Sequence, residues 1–175
     1  MSPAKQGHLA MLLFSVLVAG SFSLGALAAN EIAPGALNAV RFAIASIVIG
    51  AAVLATGGVQ RSALNALWRY LLLGGIFGTY FVLMFEGLKT APPVSAAAVF
   101  TLIPIMAAGF GWLLMRQKLT GHMLVALLIG GFGALWVIFR ADVGALLEFK
   151  IGRGEAIYFV GCVFHALYRS EEHTV

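Results

Sequence analysis

Charged residues are scarce in this chain: Asp, Glu, Lys and Arg make up 10% of its 175 residues, and its mean hydropathy is +0.98. A soluble globular domain carries about 25% charged residues, so the composition excludes an ordinary soluble domain. The 11 Lys and Arg residues against 7 Asp and Glu residues give a net charge of +4. The basic residues are scattered singly between apolar runs. This scatter argues against a nucleic-acid-binding surface.

Cysteine is almost absent. Cys162 stands alone, so an intrachain disulfide and a cysteine-based metal site are both excluded, and its small side chain suits helix packing. No glycine-rich phosphate loop follows a strand, and the histidines His8, His122, His165 and His173 are isolated from one another along the chain. These absences predict that the protein is not an enzyme and holds no cofactor or metal.

Apolar runs, by contrast, are abundant. Six of them cover roughly residues 8–29, 34–56, 68–88, 92–115, 123–139 and 155–168. At about 1.5 Å per helical residue, the first five are long enough to span about 30 Å of hydrocarbon with a little tilt, and the sixth is not. Helices are predicted because lipid cannot satisfy open strand edges. The predicted fold class is therefore an all-α polytopic membrane protein in a lipid bilayer.

Basic residues between the runs predict the orientation. With a cytoplasmic N-terminus, five basic residues lie on the inner side and one lies on the outer side before residue 140. The inner residues are Lys5, Arg61, Arg69, Arg116 and Lys118, and the outer residue is Lys89. Later in the chain Arg140, Lys150 and Arg153 oppose this count. Because the early spans usually dominate, we expect the N-terminus to be cytoplasmic, in the inner (cell) membrane.

Polar side chains within the runs are candidates for a substrate site, since each is costly in the membrane unless paired or hydrated. Arg41 lies seven residues into the second run, about 10 Å below the outer boundary. It either faces a polar partner or reaches up to the headgroups. Asn38 lies three residues earlier on the same helical face. Glu86, in the same outer half, is either a partner for Arg41 or a solvated boundary charge.

Two further residues complete the candidate substrate-binding set. Pro104 lies in the middle of the fourth run, where proline removes a backbone hydrogen bond and bends the helix. Such interruptions often mark substrate sites in transporters, although some are simply tolerated bends. Tyr80 supplies a hydroxyl that can reach a cavity. For packing, the GxxxG pair Gly74 and Gly78 and the glycines around Gly130 predict close helix contacts.

The order of these features resembles the EamA-type drug/metabolite transporters. The resemblance rests on Pro34 with Arg41-Phe42, on residues 85–91 (FEGLKTA) followed by Ser95 and three alanines, on residues 102–105 (LIPI), on residues 119–121 (LTG), and on the glycine-rich fifth run. One departure is Gln117-Lys118, where such proteins commonly carry an acid before a base. The resemblance implies ten helices in two five-helix repeats of inverted topology that exchange or export small metabolites.

On this basis residues 8–139 are predicted to form a first repeat, residues 140–154 a connecting loop, and residues 155–168 the start of a second repeat. The charged residues 169–175 are expected to break the last helix and to be a non-native tail, which predicts a truncated chain. Two alternatives remain open. In the first alternative, the chain is a half-size subunit that forms a homodimer. In the second, it is a membrane scaffold without transport activity.

Overall fold

A computed structural model describes residues 2–58, 65–148 and 150–172, so Arg61 and residues 173–175 lie outside the described ranges. Within those ranges the chain forms helices and no strands. The helices are α1 (Pro3–Ala29), α2 (Pro34–Ala55), α3 (Leu67–Leu88), α4 (Pro93–Phe100), α5 (Ile103–Met115), α6 (Gly121–Ile138), α7 (Val143–Leu147) and α8 (Arg153–Glu172).

Five segments of the described chain are long and apolar enough to cross a membrane. They are residues 4–29, 34–55, 67–88, 93–114 and 121–138, which correspond to the first five apolar runs. The prediction of an all-α polytopic membrane protein is confirmed. Large apolar side chains such as Leu27, Ile47 and Leu71 are exposed on the outside of the bundle, where lipid rather than water is the solvent.

The fourth span is interrupted near its middle. It is made of two helices, α4 and α5, separated by a turn at Thr101 and Leu102. Pro104 is the second residue of α5, where its missing N–H cannot bond the carbonyl of Phe100. The amide N–H groups of Ile105 and Met106 both donate to the carbonyl of Leu102 and restart the helix. The bend predicted at Pro104 is therefore a break between two helices.

The sixth apolar run forms a longer helix than predicted. Helix α8 has 20 residues and continues to Glu172, so the expectation that Arg169 ends the helix is wrong. Charged residues limit how deeply a helix enters the membrane, but they do not end the helix itself. Arg and Glu are good helix formers, and residues 169–172 contain no Gly or Pro that would stop it. The connection before it, predicted as a loop, contains the short helix α7, whose N-terminus is capped by Asp142.

The core lies where α8 packs along α3, which is the most extensive helix contact in the described chain. Every fourth residue of α8 faces this core and is buried: Gly154, Tyr158, Cys162, Ala166 and Ser170. Helix α3 contributes Tyr80, Met84, Phe85 and Leu88, while α1, α4 and α5 add Phe22, Ala96, Val99 and Ile103. Helices α2 and α6 lie at the periphery, with few buried residues each.

Glycines bring α3 and α8 together, but not the glycines predicted. A Cβ atom on Gly154 would collide with the carbonyl oxygen of Gly87, and one on Gly87 would lie 2.7 Å from that of Gly154. Gly161 faces Leu83 in the same interface. By contrast, beyond their own helix backbone no described atom lies within 4 Å of such a Cβ on Gly74, Gly78, Gly130 or Gly133. Of the glycines around Gly130, Gly131 does pack closely: it is buried, and a Cβ on it would lie 2.8 Å from Ile105 Cδ1 of α5. The small-residue prediction is therefore right at Gly131 and wrong for this chain at Gly74 and Gly78.

Helix α6 ends with an arginine where glycine is the usual residue. The amide of Ala141 bonds the carbonyl of Trp136, and the amide of Arg140 bonds that of Val137, which is the Schellman arrangement. Arg140 and Ala141 have φ angles of 54° and 59°. An L-residue in the left-handed region costs about 1–2 kcal/mol, so this turn holds Arg140 at an energetic cost that glycine would avoid.

Candidate functional site

Arg41 lies between the faces of two aromatic rings on α3. Its guanidinium carbon is 5.2 Å from the ring centroid of Phe81 and 4.9 Å from that of Phe85. These rings are four residues apart and therefore lie on one face of α3. Each contact is worth about 0.5–2 kcal/mol, depending on desolvation. An aromatic ring is neutral overall, so the contacts stabilise Arg41 without cancelling its charge.

Asn38 orients the guanidinium from the same helix. Its side chain is 2% exposed, its Nδ2 donates to the carbonyl of Pro34 at 2.8 Å, and its Oδ1 accepts from Arg41 Nη1 at 3.4 Å. Asn38 and Arg41, predicted to share one helical face, are in contact because residues three apart in a helix are neighbours. Among the described residues, Arg41 forms no ion pair with a carboxylate. The site thus holds the positive charge of Arg41 in place, and no described carboxylate neutralises it.

A cavity of about 380 Å³ lies beside this cation. Helix α1 forms one wall with Leu17, Gly20 and Leu24, and Leu37, Arg41 and Phe85 form the other. Apart from the guanidinium and the hydroxyl of Ser21, the side chains that line it are apolar. Such a space can take a small molecule that has an apolar part and one anionic or strongly polar group.

Glu86 is not the partner of Arg41. Its Oε2 lies 2.7 Å from Lys89 Nζ, three residues further along the chain. Phe85 faces Arg41, and the next residue of a helix points about 100° away, so Glu86 is turned from the cavity. The sequence-based pairing of Glu86 with Arg41 is wrong, and the alternative of a boundary charge with a local partner fits the structure.

Tyr80 is buried in the core rather than open to a cavity. Its hydroxyl lies 3.1 Å from the hydroxyl of Tyr158 on α8, and it also donates to Met84 Sδ at 3.7 Å. Its ring lies 4.9 Å from that of Phe81, which contacts Arg41. Tyr80 therefore links the Arg41 site to the α3–α8 interface but does not line it.

Sequence reasoning missed residues that lie far away along the chain. His165, dismissed as isolated, has ring centroids of Tyr80 at 4.6 Å and of Phe77 and Phe100 at 5.8 Å around it. Tyr158 was not singled out at all. The four-residue spacing of Tyr158, Cys162 and Ala166 is the sequence signal that marks this buried face of α8.

Pro104 lies in a different part of the bundle from Arg41. It lines a crevice with Gly111, Gln117 and Arg169, between α5 and α8. The structure thus brings Arg41, Asn38 and, through Phe81, Tyr80 together, and separates Glu86 and Pro104 from them. In the described residues no group of three or more His, Cys, Asp or Glu side chains is placed to hold a metal ion.

The fold and this site define a polytopic helical membrane protein with an intramembrane cation beside a cavity. A family model described as the EamA-like transporter family matches residues 5–139. The chain belongs to this family. No solved structure gave a significant match.

Two curated relatives, both named as membrane transport proteins, are consistent with this family membership. Uncharacterized transporter YyaM of Bacillus subtilis (strain 168) is 30% identical over 165 residues, an alignment that covers 92% of this chain and 53% of that protein. Aromatic amino acid exporter YddG of Ancylobacter novellus is 34% identical over 131 residues, which cover 74% of this chain and 43% of that protein. The chain thus spans about half the length of the curated relatives it matches.

Proposed function

We propose that this chain supplies helices of a carrier that exports or exchanges small metabolites across the inner (cell) membrane, with its N-terminus in the cytoplasm. Family membership and the two transporter relatives support membrane transport rather than catalysis. The asymmetry of Lys and Arg between the two sides supports the orientation.

Arg41 is the observation that carries the proposal. A cation within a membrane span costs about 2.5–3.5 kcal/mol at the centre, and such residues usually mark a substrate or ion pathway. Here the guanidinium has two aromatic contacts and one amide contact, and it borders a cavity. In our proposal the substrate supplies the missing anion, for example a carboxylate, while Asn38 keeps the guanidinium aimed at it.

The substrate class follows from the same geometry. A carboxylate suits the planar fork of Arg41, and an apolar body suits the remaining walls of the cavity. The name of the Ancylobacter relative says that it exports aromatic amino acids, which have both parts. Aromatic amino acids are therefore the first compounds to test on this chain, followed by other small carboxylates.

A second set of helices is part of this proposal. In inverted-repeat carriers the substrate site lies between two repeats, and one repeat rocks against the other. The matched relatives are about twice as long as this chain. We propose that the second set continues this chain and that the 175 residues alone give only background transport. Saturable transport by these 175 residues after purification would instead favour the homodimer.

The decisive experiment measures uptake into vesicles that contain the carrier with its full set of helices. Arg41→Ala should abolish transport of the carboxylate substrate while leaving membrane insertion intact, and Arg41→Lys should recover only part of the rate because it lacks the fork. Arg69 is a matched control, since it also lies over an aromatic ring, Trp68, but at the start of α3. Full transport by Arg41→Ala would reduce Arg41 to an anchor at the headgroups.

The orientation has its own test. In a Cys162→Ala background, cysteine at Glu31 should react with a membrane-impermeant thiol reagent added outside intact cells, and cysteine at Leu119 should react only after the cells are opened. The reverse pattern would show that the N-terminus lies outside.

A further inference from the structure

Ser21 is the only side chain besides Arg41 that brings a polar group to the walls of the Arg41 cavity, among the residues that the structure describes. It lies half-buried on α1, and its hydroxyl donates to the carbonyl oxygen of Val18 at 2.7 Å. A serine hydroxyl has one proton to donate and two lone pairs that accept. Because the proton is engaged with Val18, the oxygen is left to act as an acceptor, and donating a hydrogen bond strengthens it in that role.

A bond of this kind is ordinary by itself, since serine in a helix often bonds its own backbone. Ser15 of α1 does so with the carbonyl of Met11 at 2.9 Å, but Ser15 is exposed and does not belong to the cavity wall. The position of Ser21 on this wall therefore sets it apart from Ser15, and the bond to the backbone does not.

Contacts across the core match the heights of α1 and α3. The rings of Phe22 on α1 and Tyr80 on α3 both approach the ring of Tyr158, with centroids 5.9 and 6.0 Å from it. Further along the same two helices, a Cβ on Gly25 would lie 3.1 Å from Cε1 of Phe85. The two helices therefore run in the same direction, and Phe22 lies at about the height of Tyr80.

Ser21 and Arg41 consequently lie at about the same height on opposite walls of the cavity. Ser21 directly precedes Phe22, Phe81 directly follows Tyr80, and a step of one residue changes the height by about 1.5 Å. The guanidinium carbon of Arg41 is 5.2 Å from the centroid of the Phe81 ring. A ligand in the cavity between α1 and α2 can thus reach both polar groups at once.

These two groups are complementary in kind. A guanidinium only donates hydrogen bonds, whereas Ser21 is left to accept them. A carboxylate therefore suits Arg41, but an ammonium suits only Ser21, because two cations repel each other. An α-amino acid carries a carboxylate and an ammonium on one carbon atom, so it presents the two groups side by side.

We propose that Ser21 binds the ammonium group of the substrate while Arg41 binds its carboxylate, so that the carrier selects zwitterionic α-amino acids over carboxylates that lack an amino group. This inference rests on the proposed function, since it concerns the same cavity. One hydroxyl meets one of the three N–H donors of an ammonium. The expected effect of Ser21 is therefore a preference for amino acids and not an absolute requirement for the amino group.

The test compares uptake of phenylalanine with uptake of hydrocinnamate, which is phenylalanine without its amino group, into vesicles that contain the carrier with its full set of helices. Ser21→Ala should raise the KM for phenylalanine about tenfold, as expected for a hydrogen bond to a charged group, and leave the KM for hydrocinnamate unchanged. Ser21→Thr keeps a hydroxyl and should keep the preference for phenylalanine. Arg41→Ala should reduce uptake of both compounds, because both carry the carboxylate.

The matched control is Ser15→Ala, which removes a similar hydroxyl from the same helix outside the cavity and should change neither KM. An equal rise in both KM values for Ser21→Ala would show that Ser21 shapes the cavity and does not bind the ammonium. Two unchanged KM values would show that its hydroxyl serves only its own helix. Either result would overturn the inference and leave the proposed function standing. If the unaltered carrier transports neither compound, the proposed substrate class is wrong, and this inference is wrong with it.

Discussion

The two ends of α3 both carry glycines, yet only one end uses them for close packing. Gly87 lies against Gly154 and Tyr158 of α8, whereas Gly74 and Gly78 have open space beside them. The GxxxG spacing of Gly74 and Gly78 makes them the better match to a helix-packing motif. The spacing of small residues therefore shows only that a helix could approach this face closely. Whether it does so depends on the presence of a partner helix.

Adding one methyl group where α3 packs closely on α8 should have the largest effect on stability. In Gly154→Ala the new Cβ would collide with the Gly87 oxygen and would lie 2.5 Å from the Ala91 amide nitrogen. Backbone atoms cannot move aside as a flexible side chain can, so we expect a loss of about 1–3 kcal/mol or more in stability. Thermal unfolding in detergent measures it. An unchanged midpoint would mean that α3 and α8 are not packed this closely.

A glycine-to-alanine substitution at the other end of α3 should change the stability in the opposite direction. Gly74→Ala adds a Cβ that meets no atom within 4 Å, while alanine favours the helix by up to about 1 kcal/mol. A small rise in the unfolding midpoint is therefore expected for this chain. In a carrier with its second set of helices, a fall at Gly74→Ala would show that another helix, and not lipid, covers this face.

The hydroxyl pair of Tyr80 and Tyr158 should contribute least. The two oxygens are 3.1 Å apart across the same closed interface. Hydrogen bonds between membrane helices average about 0.6 kcal/mol in double-mutant cycles. Tyr80→Phe, Tyr158→Phe and the double variant should give a coupling of about that size. A coupling near zero would indicate that side-chain and glycine packing hold α8 against α3 without this hydrogen bond.

Features that depend on neighbouring residues along the chain were predictable. The five spans follow from local composition, and the contact between Asn38 and Arg41 follows from their three-residue spacing in a helix. The break near Pro104 follows from its missing N–H. Even so, the charged end of α8 was misread, because hydropathy was taken as a guide to helix length when it measures affinity for the membrane.

Features that depend on which faces meet were not predictable from one sequence. The sequence left Glu86 as either a partner for Arg41 or a boundary charge. The rotation of α3 presents Phe81 and Phe85 to Arg41 and leaves Glu86 to Lys89. His165 looked isolated because its neighbours Tyr80 and Phe100 belong to other helices. The rotation of each helix about its own axis decides these contacts, and nothing in the apolar runs sets that rotation.

The sequence by itself determined that this protein is a bundle of membrane-spanning helices, since about twenty apolar residues in a row can satisfy their backbone in lipid only as a helix. It also determined that Arg41 belongs to the second apolar span and shares one helical face with Asn38. The tertiary structure alone decided that aromatic rings rather than a carboxylate hold that arginine, and that Gly87 and Gly154 meet where α3 packs on α8. The physical reason is that lipid solvates every apolar helix face about equally well, so the choice between faces falls to the fit of side chains across helices.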